Sequence, residues 1–118
     1  MKILLVDDSM TMRRIQKTQL TNLGVKDIIE AGDGNEAYKV LKDNMPVDII
    51  LLDWNMPVMD GLTFLKKVRS EAVYSAVKII MCTSESEKSK VVEALKTGAN
   101  NYIIKPFTPE ALKEKLGI

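Results

Sequence analysis

Acidic, hydroxyl and lysine side chains follow short apolar runs in this sequence, at the points where strands would end. These residues are Asp7, Asp8, Asp53, Thr83, Ser84 and Lys105. Three carboxylates brought together repel one another by roughly 1–4 kcal/mol per pair at about 4 Å, so a cation or a proton must relieve them. Clustered carboxylate oxygens with room for water are ligands that Mg²⁺ prefers. The sequence therefore predicts a magnesium site here, with Lys105 relieving part of the repulsion.

Such a site fits the transfer of a phosphoryl group. One carboxylate can act as the nucleophile, a hydroxyl can donate to a phosphoryl oxygen, and the metal and the lysine can neutralise the charge being transferred. Histidine is absent from the sequence. This excludes Ser-His-Asp catalysis, Cys-His catalysis and imidazole metal ligands.

Composition limits the other classes of function. Seventeen basic and sixteen acidic residues give a formal charge of +1, so no broad field would attract nucleic acid or an anionic membrane. Lys88, Lys90 and Lys96 are interpreted as a solvated helix face. Cys82 is the only cysteine, so no internal disulfide can form and a reducing cytoplasm is the expected location. The apolar run around Cys82 predicts that it is a core residue. The first apolar run is too short for a signal peptide or a membrane span, so we expect a soluble cytoplasmic monomer.

The elements that must position these side chains alternate between strands and helices. The predicted strands are Lys2–Val6, Asp27–Ala31, Ile49–Asp53, Lys78–Thr83 and Asn101–Ile104. The predicted helices are Ser9–Leu23, Asn35–Lys42, Gly61–Ser70, Glu87–Thr97 and Pro109–Leu116. This alternation predicts an α/β fold, a single doubly wound domain over residues 1–118 with a parallel sheet. In such folds the functional groups gather beyond the carboxyl ends of the strands.

Local signals support the ends of several elements. Ser9 is a good N-cap for the first helix, and Gly24 is its expected stop. The apolar face of that helix is expected to comprise Met12, Ile15, Leu20 and Leu23. Gly98 is predicted to end the fourth helix, and Pro109 suits the first turn of the fifth. The run Ile49–Leu52 has no polar alternation, which predicts a strand in the middle of the sheet.

Four motifs occur at the ends of predicted strands. They are Val6-Asp7-Asp8-Ser9, Leu52-Asp53-Trp54-Asn55-Met56-Pro57 with Met59-Asp60-Gly61, Cys82-Thr83-Ser84, and Lys105-Pro106-Phe107. Each is weak alone, but in this order they form a specific signal. The sequence resembles the response-regulator receiver family of two-component signalling over essentially its whole length. The resemblance implies a flavodoxin-like (βα)₅ domain with strand order 2-1-3-4-5 and helices on both faces.

The resemblance also implies a role for each matching residue. Asp53 would be the phospho-acceptor, Thr83 would bond the new phosphoryl group, and Lys105 would pair with it. Thr83 and Tyr102 would form the switch, since the ring can turn into the space that the hydroxyl leaves. The Lys105-Pro106 bond is cis in relatives.

The implied metal is Mg²⁺. Its ligands would be Asp8, Asp53 and the backbone carbonyl of Asn55, with Asp7 acting mainly through water. Asn55 and Glu85 flank the expected path of attacking water and would tune hydrolysis. The protein would take part in its own phosphorylation and dephosphorylation without being an enzyme in the ordinary sense.

The partners follow from the same resemblance. The phosphodonor would be a phosphohistidine on a sensor histidine kinase, and a chain without histidine is the receiving side. The downstream partner would dock on the fourth helix, fifth strand and fifth helix, and a phosphatase could shorten the signal. Trp54, Asn55 and the run Asn100–Thr108 look most like the chemotaxis regulators that bind the flagellar motor switch, although the last helix is short.

Each residue taken alone has a simpler explanation. Asp7 and Asp8 could merely cap the first helix, and Lys105 could be a surface lysine. Thr83 could be an ordinary strand-end hydroxyl, and Tyr102 a half-buried sheet aromatic. Their predicted coincidence on one rim favours the functional interpretation.

Three other functions use similar residues or the same fold. A receiver in a phosphorelay outside chemotaxis would carry the same residues. A small Mg²⁺-dependent phosphatase that attacks through aspartate normally has a second aspartate two positions later, where this chain has Asn55. A flavin-binding carrier on the same fold would need a hydroxyl- and glycine-rich loop after the first strand, where Asp7 and Asp8 would repel a phosphate.

Overall fold

The computed structural model of the chain describes residues 1–54, 56, 58–84 and 89–118. Its five strands are β1 Lys2–Val6, β2 Asp27–Ala31, β3 Ile49–Asp53, β4 Lys78–Thr83 and β5 Asn101–Ile104. All are parallel, and their order across the sheet is β2-β1-β3-β4-β5. The predicted strand boundaries and the predicted order are confirmed.

Within these described ranges, five α-helices connect and cover the strands. They are α1 Met10–Asn22, α2 Gly34–Asp43, α3 Gly61–Arg69, α4 Val91–Thr97 and α5 Pro109–Leu116. A short 3₁₀ turn at Ala72–Tyr74, which the sequence did not predict, joins α3 to β4. The predicted start of the fourth helix at Glu87 lies outside the described residues.

The residues predicted to cap the helices agree with the structure. The Ser9 side chain accepts a hydrogen bond from the Met12 N–H, as expected of an N-cap. Gly24 follows α1 with φ +93° and Gly98 follows α4 with φ +127°, conformations that glycine adopts without strain. Pro109 occupies the first turn of α5.

The predicted apolar face of α1 is wrong at one position. Ile15 is 47% exposed, whereas Gln16 is almost completely buried. Positions 12, 16 and 20 are spaced four apart and lie along one stripe, while position 15 is rotated by about 100° from position 16. The inward stripe therefore contains Gln16 with Leu20, and the apolar residue beside it faces solvent.

The sheet separates two apolar clusters. Alternate strand residues such as Leu4 and Ile50 pack with Phe64 beneath α2, α3 and α4. Their neighbours, such as Ile3, pack with Leu112 beneath α1 and α5. This places helices on both faces, as expected. All five residues of β3 are buried, and Cys82 is a buried core residue.

Parallel pairing brings the ends of the strands to one edge of the sheet. Val6 is aligned with Leu52, and Thr83 is aligned with Ile104. The residues that follow β1, complete β3 and β4, and follow β5 therefore meet at this carboxyl-terminal edge. Among the described residues, no helix has the length and apolar character needed to cross a membrane.

Candidate functional site

Three carboxylates meet at the carboxyl-terminal edge of the sheet. Asp7, Asp8 and Asp53 each offer an oxygen, and these oxygens lie within 4.8 Å of one another. Asp7 and Asp53 are buried, whereas Asp8 is exposed. The Nζ of Lys105 lies 2.6 Å from Asp53 Oδ1 and 3.2 Å from Asp7 Oδ2. The structure thus brings together four residues that the sequence placed at the ends of three different strands.

The environment of Asp53 disfavours its negative charge. Burial raises the pKa of Asp53 to about 6, and the charges of Asp7 and Asp8 add to the rise, while the hydrogen bond and charge of Lys105 oppose it. Burial also acts to lower the pKa of Lys105, but its hydrogen bond to Asp53 and the nearby carboxylates leave that pKa raised. Among the described residues, one ammonium group thus faces three carboxyl groups, and an added cation would offset their mutual repulsion.

Asp7 is held by contacts at each of its polar groups. Its Oδ1 accepts a 2.9 Å hydrogen bond from the Ser9 N–H, and its Oδ2 accepts one from Lys105. Its own N–H donates to the Ala31 carbonyl at 3.2 Å, and its carbonyl accepts from Arg13. The Asp7 carboxylate is thus partly occupied by protein donors, which leaves Asp8 and Asp53 as the more available pair.

The turn after β3 packs directly against the backbone of Asp53. A Cβ at Gly61 would lie 2.3 Å from the Asp53 carbonyl oxygen, so only glycine fits at the start of α3. The Gly61 N–H donates to the Trp54 carbonyl at 3.0 Å. Asp60 caps the helix through a 2.8 Å hydrogen bond from the Thr63 N–H. A close helix–strand contact therefore fixes the backbone of the central carboxylate.

Thr83 places a buried hydroxyl at the end of β4. The residue is fully buried, and its Oγ1 has no hydrogen-bond partner among the residues that the structure describes. Its carbonyl accepts a 2.6 Å hydrogen bond from the Lys105 N–H, which ties β4 to the lysine-bearing loop. Leaving a buried hydroxyl without a partner costs free energy, so this hydroxyl is well suited to donate a hydrogen bond to an acceptor on a ligand.

Tyr102 lies outside the carboxylate pocket. It is half-buried on β5 and packs against the cluster beneath α2, α3 and α4. The Nζ of Lys115 lies 5.0 Å from the centre of its ring. Ring and ammonium together form part of the surface between β5 and α5.

Two predicted site residues, Asn55 and Glu85, lie outside the described residues. Trp54, next to the central carboxylate, is buried, and the Nζ of Lys90 lies 5.6 Å from the centre of its indole. The Lys105-Pro106 peptide bond is cis, as the resemblance implied.

Sequence reasoning missed two residues beside the pocket, Arg13 and Glu30. Arg13 donates to the carbonyl of Asp7 and forms an ion pair with Glu30. An arginine one turn into the helix after an acidic pair is the only signal available. Because Arg14 is adjacent and equally charged, the sequence does not say which of the two turns toward the pocket.

The cluster suits a hard divalent cation. Its ligand atoms are carboxylate oxygens, at least one of which lies on an exposed side chain where water can complete the coordination. The charges of Asp7 and Asp8 contribute to the raised pKa of Asp53, and a bound cation would offset them. The residues present therefore fit a metal ion.

Comparison with known proteins agrees with this geometry. The chain is 56% identical over 116 residues to a Campylobacter jejuni chemotaxis protein CheY homolog, covering 98% of this chain and 89% of that protein. It is 52% identical to Helicobacter pylori chemotaxis protein CheY1, covering 100% and 95%. The structure of Vibrio cholerae chemotaxis protein CheY4 superposes with a TM-score of 0.88 at 37% identity, covering 98% and 95%. Residues 3–117 match the family described as response regulator receiver domain, and the chain therefore belongs to that family.

Proposed function

We propose that this chain is a phospho-accepting switch of bacterial chemotaxis, in which Asp53 receives a phosphoryl group from a histidine kinase. The observation that carries the proposal is the buried Asp53 carboxylate, held 2.6 Å from Lys105 and beside two further carboxylates. The chain belongs to the receiver family and is similar to chemotaxis proteins, and both findings support the same role.

Asp53 would act as the nucleophile. With a pKa of about 6 the carboxylate is mostly ionised at neutral pH, so no base is needed. One carboxylate oxygen attacks phosphorus as the P–N bond of the donor phosphohistidine breaks. Lys105 would move with the negative charge, from the carboxylate to the phosphoryl oxygens.

Mg²⁺ is the metal we propose, held by Asp8, Asp53 and the Asn55 carbonyl, with Asp7 acting through water. Bound there, it would supply charge neutralisation for the phosphoryl oxygens. Asp7 suits an indirect role because Ser9 and Lys105 already donate to its carboxylate.

Thr83 would report the modification. Its buried hydroxyl can donate to a phosphoryl oxygen, and the movement would vacate space that the half-buried Tyr102 ring can enter. Moving such an equilibrium from 1:99 to 99:1 takes about 5.5 kcal/mol, which a few charge-assisted hydrogen bonds and one buried ring can supply. The surface of α4, β5 and α5 would change as a result.

The proposed partner on that surface is a flagellar motor switch protein. This choice rests on the chemotaxis proteins among the relatives. A role in another phosphorelay would use the same pocket and a different partner. Asn55 and Glu85 remain predicted to tune hydrolysis, alone or with a partner phosphatase.

The test is phosphorylation by a small acyl phosphate in the presence of Mg²⁺, followed by intact mass and peptide mapping. We expect one labile phosphoryl group on Asp53, which EDTA and Asp53→Asn both abolish. Asp27→Asn, which removes an exposed carboxylate at the other edge of the sheet, should leave labelling unchanged. Labelling elsewhere would contradict the proposal, and rapid turnover of unrelated phosphate esters would favour the aspartyl phosphatase.

A further inference from the structure

We propose that Arg13, held in place by Glu30, is a positioning residue for the metal site and acts through the backbone carbonyl of Asp7. The inference deepens the proposed function because it rests on a divalent cation binding at Asp7, Asp8 and Asp53. It assigns to α1 and β2 a part in that binding that the carboxylates alone do not show.

The Arg13 side chain links three elements beside the pocket. It leaves α1, donates from Nη1 to the Asp7 carbonyl, and places Nε 3.2 Å from Oε1 of Glu30 on β2. Its side chain is 15% exposed, against 34% for Glu30. The guanidinium is therefore largely enclosed and uses two of its edges in fixed directions.

Glu30 stands where β2 would otherwise carry an apolar residue. By strand alternation it shares a face with Ile28, which packs against the cluster beneath α1 and α5. A partly buried carboxylate at such a place needs a partner, and Arg13 supplies it. Lys17 approaches the other carboxylate oxygen at 3.7 Å but is 53% exposed, so it contributes less.

The Asp7 carbonyl, which accepts the hydrogen bond from Arg13, belongs to the peptide group that joins Asp7 to Asp8. The Asp7 N–H donates to the Ala31 carbonyl of β2 at 3.2 Å, and Asp8 lies one residue further beyond the end of β1. Fixing the Asp7 carbonyl fixes the peptide plane that joins the two carboxylates. Arg13 thereby sets the direction in which Asp8 leaves the sheet.

Glu30 also prevents a competing contact. A guanidinium without a partner next to Asp7 and Asp8 would pair with their carboxylates and oppose a cation by charge. The ion pair with Glu30 neutralises Arg13 and directs its fork to the carbonyl instead. Loss of either residue should therefore weaken metal binding, by different routes.

The test is the Mg²⁺ dissociation constant of the unphosphorylated protein, measured by isothermal titration calorimetry at fixed ionic strength. We expect Arg13→Gln to raise the Kd by about tenfold, the lower range for residues that orient metal ligands. Glu30→Gln should raise it by a smaller factor and make it more dependent on salt. Arg13→Lys keeps the charge without the fork, and should recover only part of the affinity.

Two controls separate positioning from general destabilisation. Arg14→Gln removes a neighbouring exposed arginine from the same helix and should leave the Kd unchanged. Arg69→Gln, far from the pocket, should lower thermal stability at least as much as Arg13→Gln while leaving the Kd unchanged.

The outcomes are distinguishable. A folded Arg13→Gln variant with the wild-type Kd would overturn the inference and leave the proposed function intact. If Arg13→Gln does not fold, equal Kd values for wild type, Arg13→Lys and Glu30→Gln would overturn it. Absence of Mg²⁺ binding to the wild-type protein would overturn the proposed function, and this inference with it.

Discussion

The polar groups at the two edges of the sheet differ in how completely they are paired. At the amino-terminal edge, Arg69 donates from Nε to the Gly98 carbonyl at 2.9 Å and from Nη1 to the Tyr74 carbonyl at 3.0 Å. Its Nη2 reaches the Val77 carbonyl at 2.7 Å and Asn100 Oδ1 at 2.8 Å. One charged fork thus serves four acceptors from the elements around it.

At the carboxyl-terminal edge, the described polar groups are less completely paired. Asp7, Asp8 and Asp53 share one lysine, and the buried hydroxyl of Thr83 has no partner in the described part of the chain. Burial is the main cause of the raised pKa of Asp53, and the charges of Asp7 and Asp8 add to it. The comparison indicates that the amino-terminal edge stabilises the fold, while the other edge is left for a ligand to complete.

The largest expected effect is at the amino-terminal edge. Arg69→Gln should lower the free energy of unfolding by about 2–4 kcal/mol, because several partly buried acceptors lose a charged donor together. Urea denaturation followed by circular dichroism measures it, with Lys66→Gln, an exposed residue of the same helix, as the control. A loss no larger than that of the control would mean that the Arg69 contacts contribute little.

A change of opposite sign is expected at Asp53. In metal-free buffer at pH 7.5, Asp53→Asn should raise the free energy of unfolding by about 1–3 kcal/mol, since the neutral amide avoids the cost of an ionised buried carboxylate. The folded protein binds the Asp53 proton more tightly than the unfolded chain, with a pKa of about 6 against 3.8.

The same shift fixes the pH dependence of that difference. Because the pKa of Asp53 is raised in the folded state, the free energy of unfolding of the wild type falls as pH rises from about 4 through about 6. Above that range the Asn variant has its full stability advantage over the wild type. Below about pH 4 the advantage should disappear. Denaturation curves in EDTA, recorded from about pH 4 to about pH 8, measure this difference. If the free energies of unfolding of the two proteins did not diverge as pH rises, the proposed electrostatics would be contradicted.

A smaller gain is expected at Thr83. Thr83→Val replaces a buried hydroxyl that lacks a described partner with a methyl group of similar size, and should raise the free energy of unfolding by about 1 kcal/mol. Asp53 should still accept a phosphoryl group, while the change in Trp54 fluorescence that follows should be reduced. A loss of stability in Thr83→Val would show that the hydroxyl is already satisfied.

The smallest effect is expected in the connection between β3 and α3. Val58 is 79% exposed and has φ +68°, a conformation that β-branched residues rarely adopt. Val58→Asn should raise the free energy of unfolding by about 0.5–1 kcal/mol, since asparagine tolerates this backbone. Thermal denaturation measures the gain, and Val73→Asn, at another exposed valine, should show none.

The sequence predicted the sheet better than it predicted the surroundings of the site. Strand boundaries followed from apolar runs that end in polar residues, and α5 followed from Pro109. Ile15 was misplaced because an apolar side chain was assumed to face inward, while the structure buries Gln16. The turn at Ala72–Tyr74 carries no strong local signal.

The site divides in the same way. Asp7, Asp8, Asp53 and Lys105 could be placed together because parallel strands end at one edge. The contacts of Arg13 depend on the rotation of α1 about its axis, which periodicity defines only coarsely. Contacts that cross between elements through a single long side chain are therefore the part that spacing does not predict.

The most direct test of the account is the effect of Mg²⁺ on stability. The free energy of unfolding of the wild type should rise with Mg²⁺ concentration, by about 2.7 kcal/mol at a hundredfold excess over the Kd. Arg69→Gln should show the same rise from a lower baseline, and an Asp8→Asn/Asp53→Asn double variant should show none. A wild type that Mg²⁺ does not stabilise, or a double variant stabilised equally, would contradict the claim that this edge is completed by a metal ion.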